Sequence, residues 1–184
     1  MKFIHFSDLH IGVENYGRID PETGMSTRLL DFLHAYDQMV EYAITNRVDA
    51  VLFAGDAYKS RDPSQTHQRE FASRVARLSL EGIPVLLVTG NHDLPSIIGR
   101  ASALEIFPTL VVENVVVSDH IETNIIHTRN GPLQVVSLPW VRRSNFLSKE
   151  DTRELNLDEI SDLITERLAS VVNAELEKLD PPLP

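Results

Sequence analysis

The fold of this chain follows from residues 85–93, with the sequence Val-Leu-Leu-Val-Thr-Gly-Asn-His-Asp, in which an apolar run stops abruptly in a glycine and three polar side chains. An apolar, β-branched run preceded by a proline predicts a buried strand. Gly90 marks a sharp exit from that strand, where the backbone must come close to another group. We therefore expect the chemistry of the protein immediately after this exit.

Two further segments have the same design. Residues 2–7 (Lys-Phe-Ile-His-Phe-Ser) lead into an Asp-Leu-His sequence, and residues 49–54 (Asp-Ala-Val-Leu-Phe-Ala) lead into a Gly-Asp pair. Because the carboxyl ends of parallel strands share one edge of a sheet, the polar side chains after these strands are expected to lie together. They are Asp8, His10, Asp56, Asn91 and His92. Such a cluster of oxygen and nitrogen donors predicts a site for a hard metal ion.

The segments between these strands predict helices over residues 26–46 and 64–82, with Ser64 as a cap and Gly82 as a stop. A shorter helix is predicted over residues 97–107. Strands that alternate with helices are typical of a parallel sheet with crossover connections. We therefore expect an α/β fold of layered sheets flanked by helices.

The pattern changes in the second half of the chain. Residues 110–117 are rich in β-branched side chains, and residues 124–128 and 133–138 flank an Asn-Gly pair, which is a strong hairpin signal. We expect these strands to form a second, more antiparallel stack beside the first sheet. A long amphipathic helix should then begin at Asn156 or Asp158.

The composition sets the broad class of the protein. A chain of 184 residues, 42% hydrophobic and 24% charged, predicts one globular domain. Its formal charge of −10 argues against a broad electrostatic surface for nucleic acid, so a phosphate substrate would need bound cations. The chain has no cysteine, which excludes disulfides and zinc-thiolate sites. Because we find neither a signal peptide nor the ~20 apolar residues of a membrane span, we expect a cytoplasmic protein without membrane contact.

Taken together, the three motifs resemble the calcineurin-like metallophosphoesterase superfamily, whose pattern is Asp-x-His, then Gly-Asp, then Gly-Asn-His followed by Asp or Glu. Within it, three segments are similar to the SbcD exonuclease subunit, namely residues 6–12 (Phe-Ser-Asp-Leu-His-Ile-Gly), 58–63 (Tyr-Lys-Ser-Arg-Asp-Pro) and 138–140 (Leu-Pro-Trp). The resemblance implies a layered phosphoesterase fold and metal-dependent hydrolysis of phosphate esters.

The resemblance also implies roles for individual residues. Asp8 and His10 would bind a first divalent ion, Asp56 would bridge two ions, and Asn91 would bind the second. Oxygen and imidazole ligands without thiolate favour manganese, with magnesium or iron as alternatives.

Two neighbouring residues receive catalytic roles from the same resemblance. His92 would protonate the leaving oxygen, and Asp93 would orient its imidazole. Histidine suits this role because it can give up a proton near pH 7.

One departure from the family pattern is important. The family completes its site with three further histidines, in a Gly-His pair and a later Gly-His-x-His, and this chain contains no Gly-His pair. His120 and His127 are interpreted as surface residues rather than replacements. We therefore expect residues 1–184 to be a partial phosphoesterase domain that lacks its C-terminal motifs, with a weakly bound second ion and little or no nuclease activity.

The leading hypothesis is a metal-dependent DNA nuclease of SbcD type that works with an SbcC-like ATPase. Self-pairing through the helices after the second and third motifs is expected, and exposure of Phe71 and Ile98 would support it. The alternatives are a phosphoesterase for a small phosphodiester or a phosphoprotein, and a non-catalytic interaction module.

Several other side chains leave their roles open at this stage. Trp140 is interpreted as a core residue rather than as a platform for bases. Four basic residues either contact DNA or are solvated: Lys59, Arg61, Arg142 and Arg143.

Overall fold

The computed structural model describes residues 1–97, 99–142, 147 and 155–184. Its strands are β1 (Phe3–Phe6), β2 (Ala50–Phe53), β3 (Val85–Val88), β4 (Val115–Ser118), β5 (Glu122–Thr128) and β6 (Gly131–Ser137). Its helices are α1 (Thr27–Thr45), α2 (Gln65–Leu80), α3 (Ile106–Thr109) and α4 (Leu157–Leu176), with a 3₁₀ turn, Ala103–Glu105, before α3. Among the residues so described, no helix has the length and apolarity needed to cross a bilayer.

The strands β1, β2, β3 and β4 form a parallel sheet in that order. Side chains alternate between its faces, and one face carries the main core. There Phe53 of β2 packs with Leu33 of α1 and Phe71 of α2. The ring of Phe71 lies 5.7 Å from that of Phe53 and 5.4 Å from that of Tyr58, which follows β2 in the chain. The predicted parallel sheet with crossover helices is confirmed, and this packing holds the loop after β2 in place.

The opposite face of the parallel sheet packs against the β5–β6 hairpin. Ala50 and Leu86 form a second buried cluster there with Ile126 and Leu133. The two hairpin strands are antiparallel and in continuous register, and the predicted hairpin is confirmed. Arg129 and Asn130 form its turn, and Gly131 begins β6. The sheet is therefore covered by α1 and α2 on one face and by the hairpin on the other.

The strand β4 differs from the sequence-based prediction. Residues 110–114 form turns instead of a strand, and β4 joins the first sheet in parallel beside β3 rather than the antiparallel stack. Two turn residues, Val111 and Asn114, have left-handed backbone with φ of 53° and 57°. The β-branched side chains of this segment indicated a strand, and such residues are unfavourable at positive φ. Pairing of β4 with β3 outweighs that local preference.

The helix predicted over residues 97–107 is also wrong in its first half. In the described part of that range, Gly99 has φ of 86°, and helical backbone begins only after Ser102. The Ser102 N–H donates to the Glu105 side chain at 2.6 Å in a capping box. The Ser-x-x-Glu pattern is thus the true start signal of this short helical segment.

The helix α4 begins after Asn156, as predicted. The side-chain oxygen of Asn156 accepts hydrogen bonds from the N–H groups of Asp158 and Glu159 at 2.9 and 3.0 Å. Near the other end of the helix, the buried carboxylate of Glu175 accepts from the Thr123 N–H of β5 at 2.9 Å. Helix α4 is therefore attached to the hairpin by a hydrogen bond that its buried acidic group accepts.

Candidate metal centre

Three residues just after β1 and β2 have left-handed backbone. They are Asp8, His10 and Asp56, with φ of 57°, 44° and 61°. Such backbone costs on the order of 1–3 kcal/mol per non-glycine residue, so the surroundings must enforce it. The Asp8 N–H donates to the Gly55 carbonyl and the His10 N–H to the Asp56 carbonyl, both at 3.0 Å. These bonds keep the two strand exits side by side and bring all three side chains to one edge of the sheet.

A buried carboxylate, that of Asp93, joins the exits of β2 and β3. Its Oδ2 atom accepts hydrogen bonds from the N–H groups of Asp56 at 2.8 Å and Gly90 at 2.9 Å, and Oδ1 accepts from Ala57 at 3.0 Å. Burial raises the pKa of Asp93, while the three N–H donors act in the opposite direction. Asp93 therefore fixes the relative position of two strand exits that lie far apart in the sequence.

The same two exits meet through glycine backbone. A Cβ atom on Gly55 would lie 2.7 Å from the Gly90 N and Cα atoms, and a Cβ atom on Gly90 would lie 2.2 Å from Oδ1 of Asp56. Both distances are too short for any side chain. The prediction that Gly90 marks a close backbone approach is confirmed, and the approaching group is the carboxylate of Asp56.

The donor atoms at this edge surround a space instead of bonding to one another. Nε2 of His10 lies 3.4 Å from Oδ1 of Asp8 and 3.8 Å from Oδ2 of Asp56, whereas a direct N–H···O bond is about 2.9 Å long. The donor atoms of His10, Asp56 and His92 all lie within 4.8 Å of each other. Nδ1 of His10 is buried and has no hydrogen-bond partner among the described residues. This arrangement of oxygen and imidazole donors fits a divalent cation.

The imidazole of His92 stands next to that of His10. The two rings are perpendicular, with centroids 5.0 Å apart. Nδ1 of His92 lies 2.8 Å from the Lys59 carbonyl, and because a carbonyl only accepts, Nδ1 is the protonated nitrogen. Nε2 is then the nitrogen that can exchange a proton. The sequence-based expectation that Asp93 orients this ring is wrong: the Lys59 carbonyl makes the orienting contact, since the Asp93 oxygens bond to backbone N–H groups.

A cavity of about 430 Å³ opens beside these donors. The predicted metal ligands Asp8, Asp56 and Asn91 line its polar side. The remaining wall comes largely from the segment after β6 and from α4, and it includes Leu138, Pro139, Trp140, Val141, Arg142, Ile164 and Leu168. The candidate centre therefore opens onto a space lined by both polar and apolar residues.

Trp140 is a clear correction to the sequence analysis. Its side chain is 59% exposed and lines the cavity, so the interpretation as a core residue is wrong. The backbone N–H of Trp140 donates to the Thr89 carbonyl at 2.8 Å, and this bond fixes the segment beside the exit of β3.

The basic residues considered for DNA contact are distributed unevenly. Arg142 lines the cavity, and its guanidinium donates to the Pro95 carbonyl. Lys59 and Arg61 are exposed. Arg143 lies outside the described residues.

Comparison with known proteins now adds to this geometry. A sequence model of the calcineurin-like phosphoesterase family matches residues 1–174. The chain belongs to this family.

Several curated relatives of this phosphoesterase are called DNA double-strand break repair protein Mre11. The protein from Thermoplasma acidophilum is 32% identical over 100 residues, which are 54% of this chain and 25% of the relative. Those from Haloferax volcanii and Archaeoglobus fulgidus are 37% and 34% identical over 50% and 52% of this chain. The matched parts are 19% and 20% of those two relatives. The matched segments thus cover a quarter or less of the length of these relatives.

Two features of this phosphoesterase site were missed by reasoning from sequence. The Lys59 carbonyl is a backbone group, and no side-chain pattern reports its position. The exposure of Trp140 depends on which element covers the segment after β6, and its hydrogen bond to Thr89 joins segments that are distant in the chain. The proline before Trp140 was the one available signal, because proline favours an irregular segment over a buried strand.

Proposed function

We propose that this chain carries the metal-binding half of a DNA nuclease centre that hydrolyses phosphodiester bonds. The observation that carries the proposal is the convergence of Asp8, His10 and Asp56 around a common space, with the His92 ring beside it. The names of the archaeal relatives support DNA as the substrate.

In this proposal Asp8, His10 and Asp56 hold a first divalent ion, and Asp56 and Asn91 hold a second. Manganese is the proposed ion, with magnesium or iron as alternatives, because the donors are oxygen and imidazole. Such ions polarise a phosphate ester and lower the pKa of bound water, so that a nucleophile exists at neutral pH.

The side chains of the chain have separate tasks in the reaction. Oδ1 of Asp56 accepts the His92 N–H at 2.9 Å, which directs Oδ2 toward His10 and the ion site. His92 would donate a proton from Nε2 to the leaving oxygen, while the Lys59 carbonyl holds Nδ1. Asp93 would position both Asp56 and His92 by holding the backbone of the strand exits.

The proposal includes partners and location from the sequence analysis. An SbcC-like ATPase as partner and a cytoplasmic location remain predictions. Self-pairing through α2 and the region after β3 is also predicted, but Phe71 is fully buried within this chain and gives it no support. Ile98, the other residue named for this contact, lies outside the described residues.

Titration of this chain with Mn²⁺, with the heat of binding measured by calorimetry, tests the metal centre directly. We expect binding that is lost in Asp56→Asn and unchanged in His120→Asn, a control histidine on the hairpin side. His92→Ala should keep the ion, because we assign this residue to proton transfer. Loss of Mn²⁺ in His92→Ala would make it a ligand instead, and absence of binding to the unaltered chain would favour the interaction module.

Substrate class is tested with linear duplex DNA and bis-nitrophenyl phosphate. We expect little turnover by residues 1–184 alone, because Asp56 and Asn91 give the second ion few protein ligands. Robust turnover of DNA that His92→Ala abolishes would contradict this expectation of low activity. Turnover confined to the small diester would favour a small-molecule phosphoesterase.

A further inference from the structure

The side chain of Trp140 is placed unusually for a large aromatic residue. It is 59% exposed, although large apolar side chains are usually buried where possible. The backbone N–H of Trp140 donates to the Thr89 carbonyl at 2.8 Å, directly before Gly90 and Asn91, and this bond fixes the backbone of Trp140 there. The residue lines the cavity beside the candidate metal centre, and much of its surface is exposed.

The cavity beside this ring has the properties of a site for part of a substrate. Its volume of about 430 Å³ lies within the range of ligand pockets. Asp8, Asp56 and Asn91 contribute polar lining, and Trp140, together with Ile164 and Leu168 of α4, contributes apolar lining. A ligand that fills this cavity should have a charged part at the metal centre and a flat apolar part on the aromatic side.

The net charge of the chain bears on how this cavity could bind a nucleic acid. With a formal charge of −10, the protein offers little general attraction for a polyanion. Among the described residues that line the cavity, Arg142 is the single cation, and its guanidinium already donates to the Pro95 carbonyl. Beyond the proposed metal ions, contacts other than ion pairs would therefore add to nucleic-acid binding at this edge. Stacking of bases on aromatic rings supplies such contacts without regard to sequence.

We propose that Trp140 is a stacking platform for an unpaired nucleobase of the strand whose phosphate lies at the metal centre. This inference rests on the proposed nuclease function and adds to it a requirement on the substrate. Bases within a duplex have their faces covered by neighbouring base pairs. The site would therefore favour a single-stranded or frayed end over an intact helix.

Trp140 is the single tryptophan of the chain, so its fluorescence reports directly on stacking. The first experiment titrates this chain with a short oligothymidylate and with an abasic oligonucleotide of the same length, both in Mg²⁺. We expect saturable quenching with the oligothymidylate and little change with the abasic strand. Equal quenching by both strands, or none by either, would overturn the proposal.

A second experiment measures the affinity for the same two strands, labelled at one end, by fluorescence anisotropy. Trp140→Ala should weaken binding of oligothymidylate roughly tenfold and leave binding of the abasic strand unchanged. Trp140→Phe should keep most of the affinity for oligothymidylate, because phenylalanine also stacks. Tyr42→Ala, which removes an exposed aromatic ring of α1 away from the cavity, is the matched control and should have no effect.

The two strands also separate stacking from a structural role. If Trp140→Ala weakens both strands equally, Trp140 supports the fold of the segment and the stacking proposal is wrong. Repeating the titration without Mg²⁺ tests the metal centre independently. If the chain prefers oligothymidylate over the abasic strand but its affinity does not change with Mg²⁺, the metal centre alone is contradicted. If its affinity depends on Mg²⁺ but is equal for the two strands, the role of Trp140 alone is contradicted.

Discussion

The carboxyl edge of the parallel sheet and the β5–β6 hairpin differ in which residues adopt left-handed backbone. At the edge, Asp8, His10 and Asp56 have left-handed backbone although none of them is glycine. In the hairpin, the positive φ of 106° falls on Gly131, which tolerates it without a steric cost. At the edge, backbone strain therefore falls on the residues whose polar side chains converge. The hairpin, which carries no such cluster, uses the residue that relieves strain.

The two regions also use buried carboxylates differently. Asp93 accepts three backbone N–H groups at the edge, and burial raises its pKa. Glu175 connects α4 to the hairpin, and hydrogen bonds from Lys178 and Thr123 lower its pKa. The first group holds backbone from two strand exits in a dry environment. The second combines a hydrogen bond from the Thr123 N–H of β5 with an ion pair to Lys178.

The strongest test of this contrast is Asp93→Ala. It would leave the buried N–H groups of Asp56, Ala57 and Gly90 without their acceptor. At about 1–3 kcal/mol for each unsatisfied group, and with partial access of water, we expect a loss of about 4 kcal/mol in the free energy of unfolding. Urea denaturation measures it, with Asp119→Ala at an exposed position as control. A loss below about 1 kcal/mol would show that Asp93 does not hold the two exits together.

Gly55→Ala tests the close approach of the two exits. The added Cβ would lie 2.7 Å from Gly90 backbone at a φ of 97°, and we expect a loss of about 3 kcal/mol. Gly82→Ala is the matched control, because Gly82 also has positive φ but nothing lies within 4 Å of its would-be Cβ. The control should lose only about 1–2 kcal/mol. Equal losses in both variants would show that backbone conformation alone, and not contact with Gly90, requires glycine at position 55.

Glu175→Gln sharpens the comparison through its pH dependence. Because the pKa of Glu175 is lowered from 4.5 in the folded chain, its ionised form contributes stability above that pH and loses it as the pH falls. We expect the variant to be less stable than the original chain at pH 7, by less than in Asp93→Ala. The difference should shrink as the pH drops below 4.5. A difference that stays constant with pH would mean that packing, and not charge, connects α4 to β5.

His120 on the hairpin side should have the smallest effect. Its Nδ1 lies 2.7 Å from Asp119, and this hydrogen bond, together with the charge of Glu122, raises its pKa above 6.5. Its contribution to stability is then present below pH 6.5 and lost as the pH rises through the higher folded value. The side chain is largely exposed, so His120→Asn should cost about 0.5 kcal/mol or less at pH 6 and nothing at pH 8. Thermal denaturation at the two pH values checks this, and a larger cost at pH 8 would contradict it.

Much of the architecture was predictable because it depends on local sequence patterns. The apolar runs of β1, β2 and β3, the Asn-Gly turn and the Asn156 cap each depend on residues that are close in the sequence. The two errors have different sources. Residues 110–114 form turns before β4 pairs with β3, and this pairing joins segments that are distant in the sequence. The start of the helical segment at Ser102 follows from Gly99 and the capping box, which are local signals that the sequence contained.

The candidate site divides in the same way. The residue types that converge at the edge were visible in the sequence, because strand exits in a parallel sheet share one side. The partners of those residues were not. Asp93 reaches the N–H of Asp56 across 37 positions, and the ring of His92 reaches the Lys59 carbonyl across 33. Both contacts involve backbone groups, which every residue carries.

The sequence by itself therefore determined which donors the protein has and at which strand exits they lie, since side-chain chemistry and strand periodicity are local properties. The tertiary structure alone decided that Asp93 holds backbone rather than an imidazole, that β4 extends the parallel sheet, and that the ring of Trp140 faces a cavity. The physical reason is that burial and hydrogen-bond partners depend on which distant segments pack together, and no short stretch of sequence contains that information.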